Sequence, residues 1–349
     1  MRNATMDLLL MIVVGIVVVA GCVPVIERPG DLYVGFNQGQ IMETEFQRFS
    51  YLEAIDVHAS GRIYAFGTTW HAEAGNGKQV AISRYLSNGR LDTSYDLDGL
   101  LYYGAVTAIN PTQNWHGVDM FVQPNEQLVL MTDHTSQLGS EKRLVRFNDD
   151  ATRDHSFFDP RDSINWPRGN FALGGAITAD PSGNITVCGH NDEGFWLTRR
   201  LYTDGSLDQS FGDSNIAMGY NLFPATDARC TDVAIDNNGR IIVTGWSFQN
   251  SALSFVLLRF NNQGDLDAGF GNGTGQVITS GYPHYPARIN HRLNPFDVAS
   301  VKVQADGQYV IAMTGVLERY DTDGNKDTSF GANGTVELRD SGLPALARD

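Results

Sequence analysis

Basic residues and cysteines are both scarce in this sequence, and each shortage excludes a class of protein. The 25 Lys and Arg residues are outnumbered by 40 Asp and Glu residues, which gives a formal net charge of -15. Nucleic-acid binding requires a basic surface, so we expect no nucleic-acid partner. The three cysteines are too few for a disulfide framework. One bond, between Cys188 and Cys230, remains open because it needs only an oxidising compartment.

Catalytic and metal-binding motifs are absent as well. The sequence has no Gly-x-Ser-x-Gly or His-Glu-x-x-His motif and no distinctive unrepeated pair of carboxylates. His71, His134 and His190 lack the close spacing that is typical of metal ligands. The acidic stretch 321–327 has its Gly in the fourth place and lacks the Glu of a calcium loop, so it predicts an Asp-Gly turn. We therefore predict no catalytic residue, no metal site and no cofactor.

The N-terminal apolar run, Leu8 to Ala20, has thirteen residues and is too short to cross a bilayer as a mature helix. It leads into Val19 to Cys22, Val-Ala-Gly-Cys, which resembles the lipobox of bacterial lipoproteins. The resemblance implies a signal peptide over residues 1–21, lipid attachment at Cys22 and a short tether over residues 22–30.

The residue after the lipobox bears on location. Val23 is not the Asp of an inner-membrane retention signal, which implies an outer-membrane lipoprotein of the cell envelope. The membrane would then be contacted only through the N-terminal lipid, and the side of the membrane stays open. An ordinary cleaved signal peptide or an uncleaved anchor is the alternative.

A repeated motif fills most of the remaining chain. Its clearest copy is Arg259 to Gly271, in which an Arg is followed eight residues later by an Asp and three residues after that by an aromatic residue. With the copies that begin at Arg84, Arg146, Arg200 and Arg319, it defines repeats 1 to 5, at steps of 62, 54, 59 and 60 residues. Self-similarity at such a period is typical of solenoids, propellers and repeat arrays.

Each repeat has the pattern of short β-strands. In repeat 4, apolar residues flank Asp236 to Gly239, where Asn-Gly supplies the positive φ that a hairpin turn needs. The next segment, Phe255 to Phe260, is apolar at nearly every position, which predicts a strand buried on both faces. Four such strands per repeat predict an all-β protein, a β-propeller of about five four-stranded antiparallel blades. A six-bladed or incompletely closed ring is the alternative.

The repeats also set the domain boundaries. A degenerate sixth copy of the aromatic turn lies at Gly30 to Phe36, so five complete repeats predict one propeller domain over residues 31–340 and a C-terminal tail over residues 341–349. Equivalent strands follow the first and last turns, at Gln40 to Thr44 and Thr335 to Leu338. The sequence leaves open which of the two closes the ring.

Two copies of the turn carry a family resemblance. Residues 204–212, Asp-Gly-Ser-Leu-Asp-Gln-Ser-Phe-Gly, and residues 327–334, Asp-Thr-Ser-Phe-Gly-Ala-Asn-Gly, resemble the delta-60 repeat family of predicted β-propellers. The resemblance covers about residues 30–338 and implies a fold but no reaction. Repeats 1 and 2 depart from it at Asp96 and at Asp159-Pro160, so we expect different turns there.

The repeated Arg and Asp predict a structural ion pair in every repeat. A charge buried in an apolar strand has to be paired and hydrogen-bonded, and residues shared by all repeats usually serve the common fold. The predicted pairs are Arg84–Asp92, Arg146–Asp154, Arg200–Asp208, Arg259–Asp267 and Arg319–Asp327. A ring of ligand-binding residues is the alternative.

The loops that vary between repeats predict a binding face. In an up-and-down blade, the loop that enters the first strand and the loop that leaves the second lie on the same rim, and long loops on a rigid scaffold often carry function. The candidate binding rim consists of Trp115, His116, Trp166, Arg168, His190, Trp246, Tyr282, His284, Tyr285, Arg288, His291 and Arg292. The alternative is that these loops only pack their own aromatic residues over the blade ends.

These features favour a monomeric, lipid-anchored propeller of the cell envelope that binds a protein or glycan partner without catalysis. A hydrolase or lyase acting on an extracellular polymer is the alternative, because carboxylates that meet only in space are invisible in a sequence.

Overall fold

A computed structural model of the chain describes residues 11–13, 16–18, 50–70, 77–104, 114–136, 139–157, 172–190, 196–212, 217–218, 227–249, 252–280, 299–313 and 316–337. All the regular elements in these ranges are β-strands, as predicted. None of the described segments is a helix long and apolar enough to cross a membrane. The predicted boundaries after residues 21, 30 and 340 lie outside these ranges and stay predictions.

The first strands lie in the N-terminal apolar run and in repeats 1 and 2. Strands β1 and β2 of the apolar run pair with each other. The bounds are β1 Met11–Val13, β2 Ile16–Val18, β3 Ser50–Val57, β4 Ile63–Trp70, β5 Lys78–Tyr85, β6 Leu100–Tyr103, β7 Asn114–Val122, β8 Leu128–Ser136 and β9 Gly139–Phe147.

Repeats 3, 4 and 5 each contribute four strands. Their bounds are β10 Ala172–Ala179, β11 Ile185–His190, β12 Trp196–Leu201, β13 Ala217–Met218, β14 Asp227–Ile235, β15 Ile241–Gln249, β16 Ala252–Phe260, β17 Gln276–Ser280, β18 Ser300–Val303, β19 Tyr309–Met313, β20 Val316–Tyr320 and β21 Thr335–Glu337.

Strand order follows chain order in the three four-stranded sheets, whereas in the seven-stranded sheet β5 pairs with both β6 and β7. Three separate four-stranded sheets run β10-β11-β12-β13, β14-β15-β16-β17 and β18-β19-β20-β21. Strands β3 to β9 form one seven-stranded sheet, because a single parallel pair, Lys78 with Asn114, joins the antiparallel strands of repeat 1 to those of repeat 2. Consecutive antiparallel strands of this kind confirm the predicted all-β, up-and-down organisation, whereas the blade number stays a prediction.

The strand after the last aromatic turn completes the sheet of its own repeat. Thr335–Glu337 pairs antiparallel with β20, and Val316 lies opposite Glu337. Of the two strands that the sequence left open, this one therefore closes the sheet of repeat 5. Its counterpart, Gln40 to Thr44, lies outside the described residues.

The chain divides into two compact units. The first comprises Met1–Arg168, Ala176–Ile185 and Leu201–Leu207, and its core contains the buried side chains of Tyr64, Phe66, Val80, Ile82 and Leu130. The second comprises Gly169–Gly175, Thr186–Arg200 and Asp208–Asp349, and its core contains Phe255, Leu257, Phe270, Tyr309 and Ile311. The four residues from Phe255 to Leu258 are fully buried, which confirms that this strand is covered on both faces.

The turn at Asp96 corrects one expectation. Asp96 takes a φ of 44°, close to the 60° of Gly271 and the 56° of Gly331 at the same place in repeats 4 and 5. Asp is one of the few residues other than Gly that adopt the left-handed conformation without a large cost. The turn of repeat 1 therefore keeps the left-handed backbone at this position. Asp159-Pro160 of repeat 2 lies outside the described residues.

Candidate functional site

The repeated Arg and Asp form an ion pair in each of the five repeats. The Arg Nε donates to the Asp Oδ2 at 2.8 to 2.9 Å in all five pairs: Arg84–Asp92, Arg146–Asp154, Arg200–Asp208, Arg259–Asp267 and Arg319–Asp327. Each guanidinium also lies over the aromatic ring three residues after its Asp, with the Cζ atom 4.4 to 4.8 Å from the ring centroid. The pair and the cation–π contact together fix the closing turn on the third strand of the repeat.

The same guanidinium also joins consecutive repeats. The Nη1 of Arg84, Arg146, Arg200 and Arg259 donates to a backbone carbonyl in the closing turn of the next repeat, respectively that of Asp149, Thr203, Asn262 and Thr322. The turns also pack closely: a Cβ at Gly324 of repeat 5 would lie only 2.7 Å from the ring of Phe270 in repeat 4. The Arg of one repeat therefore stabilises both its own turn and that of its neighbour.

In the described part of the chain, the arginine of the last repeat makes no such hydrogen bond to another repeat. The Nη1 of Arg319 has no acceptor among the residues that the structure describes, and its side chain is 22% exposed against 1% for Arg259. Phe330 is only half-buried, whereas Phe270 is buried. Within the described part of the chain, the Arg319 guanidinium therefore contacts only its own repeat.

A second repeated hydrogen bond between consecutive repeats was not predicted from the sequence. Asp56, Asp119 and Asp232 each accept, at Oδ2, a hydrogen bond of 2.8 Å from a backbone N–H in the first strand of the next repeat. The sequence signal was available, because each Asp lies between two non-charged residues of a first strand, in Ile-Asp-Val, Val-Asp-Met and Thr-Asp-Val. Like the repeated Arg, these carboxylates serve the common fold.

Of the predicted binding rim, three side chains lie within the described part of the chain. Trp115 and Trp246 are 6% and 4% exposed, and His116 is half-buried. His190 ends β11, and its side chain is not described. The remaining rim residues lie outside the described ranges: Trp166, Arg168, Tyr282, His284, Tyr285, Arg288, His291 and Arg292. Cys22 and His71 lie outside them too.

The two described tryptophans of the rim pack against their own sheets. Trp115 stacks on His134 of the adjacent strand, with ring centroids 4.2 Å apart, and Arg143 lies over its ring at 5.2 Å. Trp246 has Arg229 over its ring at 5.4 Å. Because both indoles are buried, they support the ends of the strands and present little surface to a partner.

An exposed aromatic cluster lies at the same end of repeat 1. Tyr51 at the start of β3 is 57% exposed, and its ring centroid lies 5.6 Å from that of half-buried Trp70 at the end of β4, at an interplanar angle of 55°. Lys78 at the start of β5 places its Nζ 4.7 Å from the centroid of Trp70. We call Tyr51, Trp70 and Lys78 the Trp70 platform.

Titratable groups lie beside Lys78 and beside His116. Burial raises the pKa of Glu53, an effect that the ammonium of Lys78 opposes, although Glu53 keeps an exposed surface. Burial also lowers the pKa of His116; Lys78 adds to this effect, and Asp133, directly opposite His116 on β8, works against it. The cluster therefore combines a neutral imidazole, two carboxyl groups and the Lys78 ammonium at neutral pH.

The platform was only partly visible in the sequence. Trp70 ends a second strand, which marked it as a residue of a variable loop, but Tyr51, Glu53 and Lys78 carry no motif. They meet because β3 begins, β4 ends and β5 begins at the same end of an antiparallel sheet. The residues near the starts of β3 and β5 were the available signal.

A disulfide lies at the corresponding end of repeats 3 and 4. Cys188 in β11 and Cys230 in β14 are bonded, with their Cα atoms 6.2 Å apart, and both residues are 1% exposed. The bond that the sequence left open is therefore present, and it ties two consecutive repeats together.

The chain is similar in sequence to a described propeller family. The family model, described as a domain of unknown function (DUF5122) beta-propeller, matches residues 58–95 and 237–270. Each matched segment covers the second strand, the third strand and the closing turn of one repeat, in repeats 1 and 4. With the consecutive four-stranded antiparallel sheets, this match identifies the fold class as a β-propeller. No curated protein matches the chain.

Several solved structures are similar to this chain at low sequence identity. A protein of unknown function from Bacteroides caccae is 12% identical, with 85% of this chain and 90% of that chain covered and a TM-score of 0.40. An ulvan lyase of polysaccharide lyase family PL25 is 10% identical, with 83% and 67% covered and a TM-score of 0.44. An exo-1,5-alpha-L-arabinanase from a bovine ruminal metagenomic library is 12% identical, with 81% and 93% covered and a TM-score of 0.38. None of them assigns an activity to this chain.

Proposed function

We propose that the protein is a non-enzymatic binding module of the cell envelope, and that the strand ends with the variable loops hold a protein or glycan partner. The observation that carries this proposal is the exposed ring of Tyr51 beside Trp70. A large aromatic side chain left 57% exposed at the end of a rigid sheet offers apolar surface to a binding partner.

The proposed location rests on the lipobox and is supported by the disulfide. A lipid on Cys22 would anchor a monomeric propeller to the outer membrane through the tether of residues 22–30, with no other membrane contact. The bonded Cys188 and Cys230 agree with an oxidising compartment outside the cytoplasm. Replacing Cys22 by Ser should release the protein from the membrane fraction, and retention of the variant in that fraction would contradict lipid anchoring.

The binding function is tested with the full-length protein in its own membrane. Reversible cross-linking of envelopes, followed by purification of the protein in detergent, should recover a partner with the unchanged chain and lose it with Tyr51→Ala. Tyr202→Ala is the matched control, because Tyr202 is 44% exposed but lies in the closing turn of repeat 3. Equal recovery with all three proteins, or recovery of nothing, would contradict the proposed site.

One observation favours the enzymatic alternative, a hydrolase or lyase acting on an extracellular polymer. Glu53 and His116 both have shifted pKa values and both interact with Lys78, and such shifts occur often at catalytic sites. The test is a screen for polysaccharide cleavage with Glu53→Gln and His116→Ala beside the unchanged chain. Cleavage that both variants abolish would replace the binding proposal by the enzymatic one.

A further inference from the structure

The side chains of the Trp70 platform indicate the class of ligand more closely than the candidate binding rim as a whole does. Resting on the binding function proposed above, we infer that the platform binds a neutral saccharide, with the C–H face of a sugar ring against Tyr51 and its hydroxyl groups among Lys78 and the neighbouring carboxyl groups. The inference depends on three features of repeat 1: the accessible aromatic surface, the balance of charge and the mixture of hydrogen-bond donors and acceptors.

The accessible surface belongs mainly to Tyr51. Lys78 lies over the ring of Trp70 at 4.7 Å, and Trp70 is half-buried, so it acts as a support. Tyr51 meets Trp70 at 55° and keeps 57% of its surface exposed. A single open ring, held in place by a second ring, suits a flat ligand with an apolar face and a polar edge.

Charged groups of both signs lie around the platform. The Lys78 ammonium acts on both Glu53 and His116, and Asp133 adds a carboxyl group beside His116. An anionic ligand would therefore meet carboxyl groups, on a chain whose formal net charge is -15. A cationic ligand would meet the ammonium of Lys78 directly over the supporting ring. Each sign of charge therefore meets a group of like sign, which favours a neutral ligand.

The polar groups match hydroxyl chemistry. The Lys78 ammonium can only donate hydrogen bonds, the carboxyl oxygens of Glu53 and Asp133 accept them, and the neutral imidazole of His116 does both. A sugar hydroxyl is both a donor and an acceptor, so it can bond to any of these kinds of group. A standard protein interface takes about 20 to 30 residues on each side, whereas the platform consists of three.

The test measures saccharide binding by the full-length protein in detergent, with affinity gels and calorimetry. The neutral probes are galactomannan, mixed-linkage β-glucan and dextran, and the acidic probes are polygalacturonate and alginate. We expect binding to at least one neutral probe, unchanged between low and high salt because no charge pairs with the ligand. Tyr51→Ala should weaken it at least about tenfold, as expected for a central aromatic contact, and Tyr202→Ala should leave it unchanged.

Controls separate loss of the site from loss of the fold. Tyr51 is exposed, so Tyr51→Ala should unfold at the same temperature as the unchanged chain, and Trp70→Phe keeps a supporting ring if Trp70→Ala does not fold. Binding only to the acidic probes, weakened by salt, would overturn the neutral-saccharide inference and leave the binding function standing. Failure to bind any neutral probe while a protein is cross-linked through Tyr51 would do the same. Failure of both experiments would overturn the inference and the proposed function together.

Discussion

The two ends of the sheets differ in how they use their side chains. At the end with the closing turns, the same Arg, Asp and aromatic residue recur in all five repeats, and four of the arginines also bind the next repeat. At the opposite end, repeat 1 has an exposed Tyr51 over Trp70, whereas repeat 2 has a buried Trp115 stacked on His134. Residues common to all repeats stabilise the fold, and residues peculiar to one repeat are free to carry function.

A finer contrast exists within the turn end. Arg259 is 1% exposed and reaches the turn of repeat 5, whereas Arg319 is 22% exposed and has no such carbonyl among the described residues. Both pair with their own Asp at 2.8 Å. The difference between the two therefore reports the combined effect of the contact with the next repeat and of the deeper burial of Arg259.

The largest loss of stability is expected when the buried Arg259 of repeat 4 is replaced. Arg259→Ala removes one donor each from Asp267, Tyr309 and the Thr322 carbonyl, so we expect the free energy of unfolding to fall by about 3 kcal/mol or more. Urea unfolding followed by fluorescence measures this loss. A loss below about 1 kcal/mol, the range of an exposed pair, would contradict the buried placement.

Removal of the disulfide is expected to have the next largest effect. Cys188 and Cys230 are 42 residues apart, and loss of a bond that closes such a loop typically costs about 2 to 4 kcal/mol. The matched comparison is Cys188→Ser with Cys230→Ser against the unchanged chain, measured with and without reductant. Equal stability of the two proteins under oxidising conditions would show that the bond contributes nothing to the fold.

A smaller loss of stability is expected when the partly exposed Arg319 of repeat 5 is replaced. Arg319→Ala removes only the partly exposed pair with Asp327 and the contact with half-buried Phe330, so we expect a loss of about 1 kcal/mol. The same urea titration compares it directly with Arg259→Ala. If Arg259→Ala and Arg319→Ala lowered the free energy of unfolding by the same amount, the contacts of Arg259 with repeat 5 would contribute nothing to stability.

The carboxylates of the turn end predict a change of stability in acid. Burial would raise the pKa of Asp154, but hydrogen bonds from Ser156 and Arg146 outweigh it and lower the pKa from 3.8 to about 2. A lowered pKa means that this carboxylate stabilises the fold above pH 3.8, and that the contribution disappears as the pH falls through about 2. The stability gap between the unchanged chain and Asp154→Asn should therefore narrow over that interval. A gap independent of pH would contradict it.

The sequence predicted the turn end well and the opposite end poorly, for a physical reason. Arg259 and Asp267 recur with every repeat, and recurrence alone identifies them as parts of the fold. Tyr51 and Lys78 occur once and are separated by a whole hairpin, so only the register of β3, β4 and β5 brings them to Trp70. The burial of Trp115 was equally hidden, since it depends on the partner ring of His134 across the sheet.

The central claim is that the end with the closing turns stabilises the fold while the opposite end binds a ligand. It is tested most directly by measuring both properties in one variant from each end. Saccharide affinity and the free energy of unfolding are determined side by side for Tyr51→Ala and Arg319→Ala. We predict that Tyr51→Ala loses binding and changes stability by no more than about 0.5 kcal/mol, the usual range for a surface substitution. Arg319→Ala should lose about 1 kcal/mol and bind as the unchanged chain does. If Tyr51→Ala and Arg319→Ala each lost both saccharide affinity and stability, that claim would be contradicted.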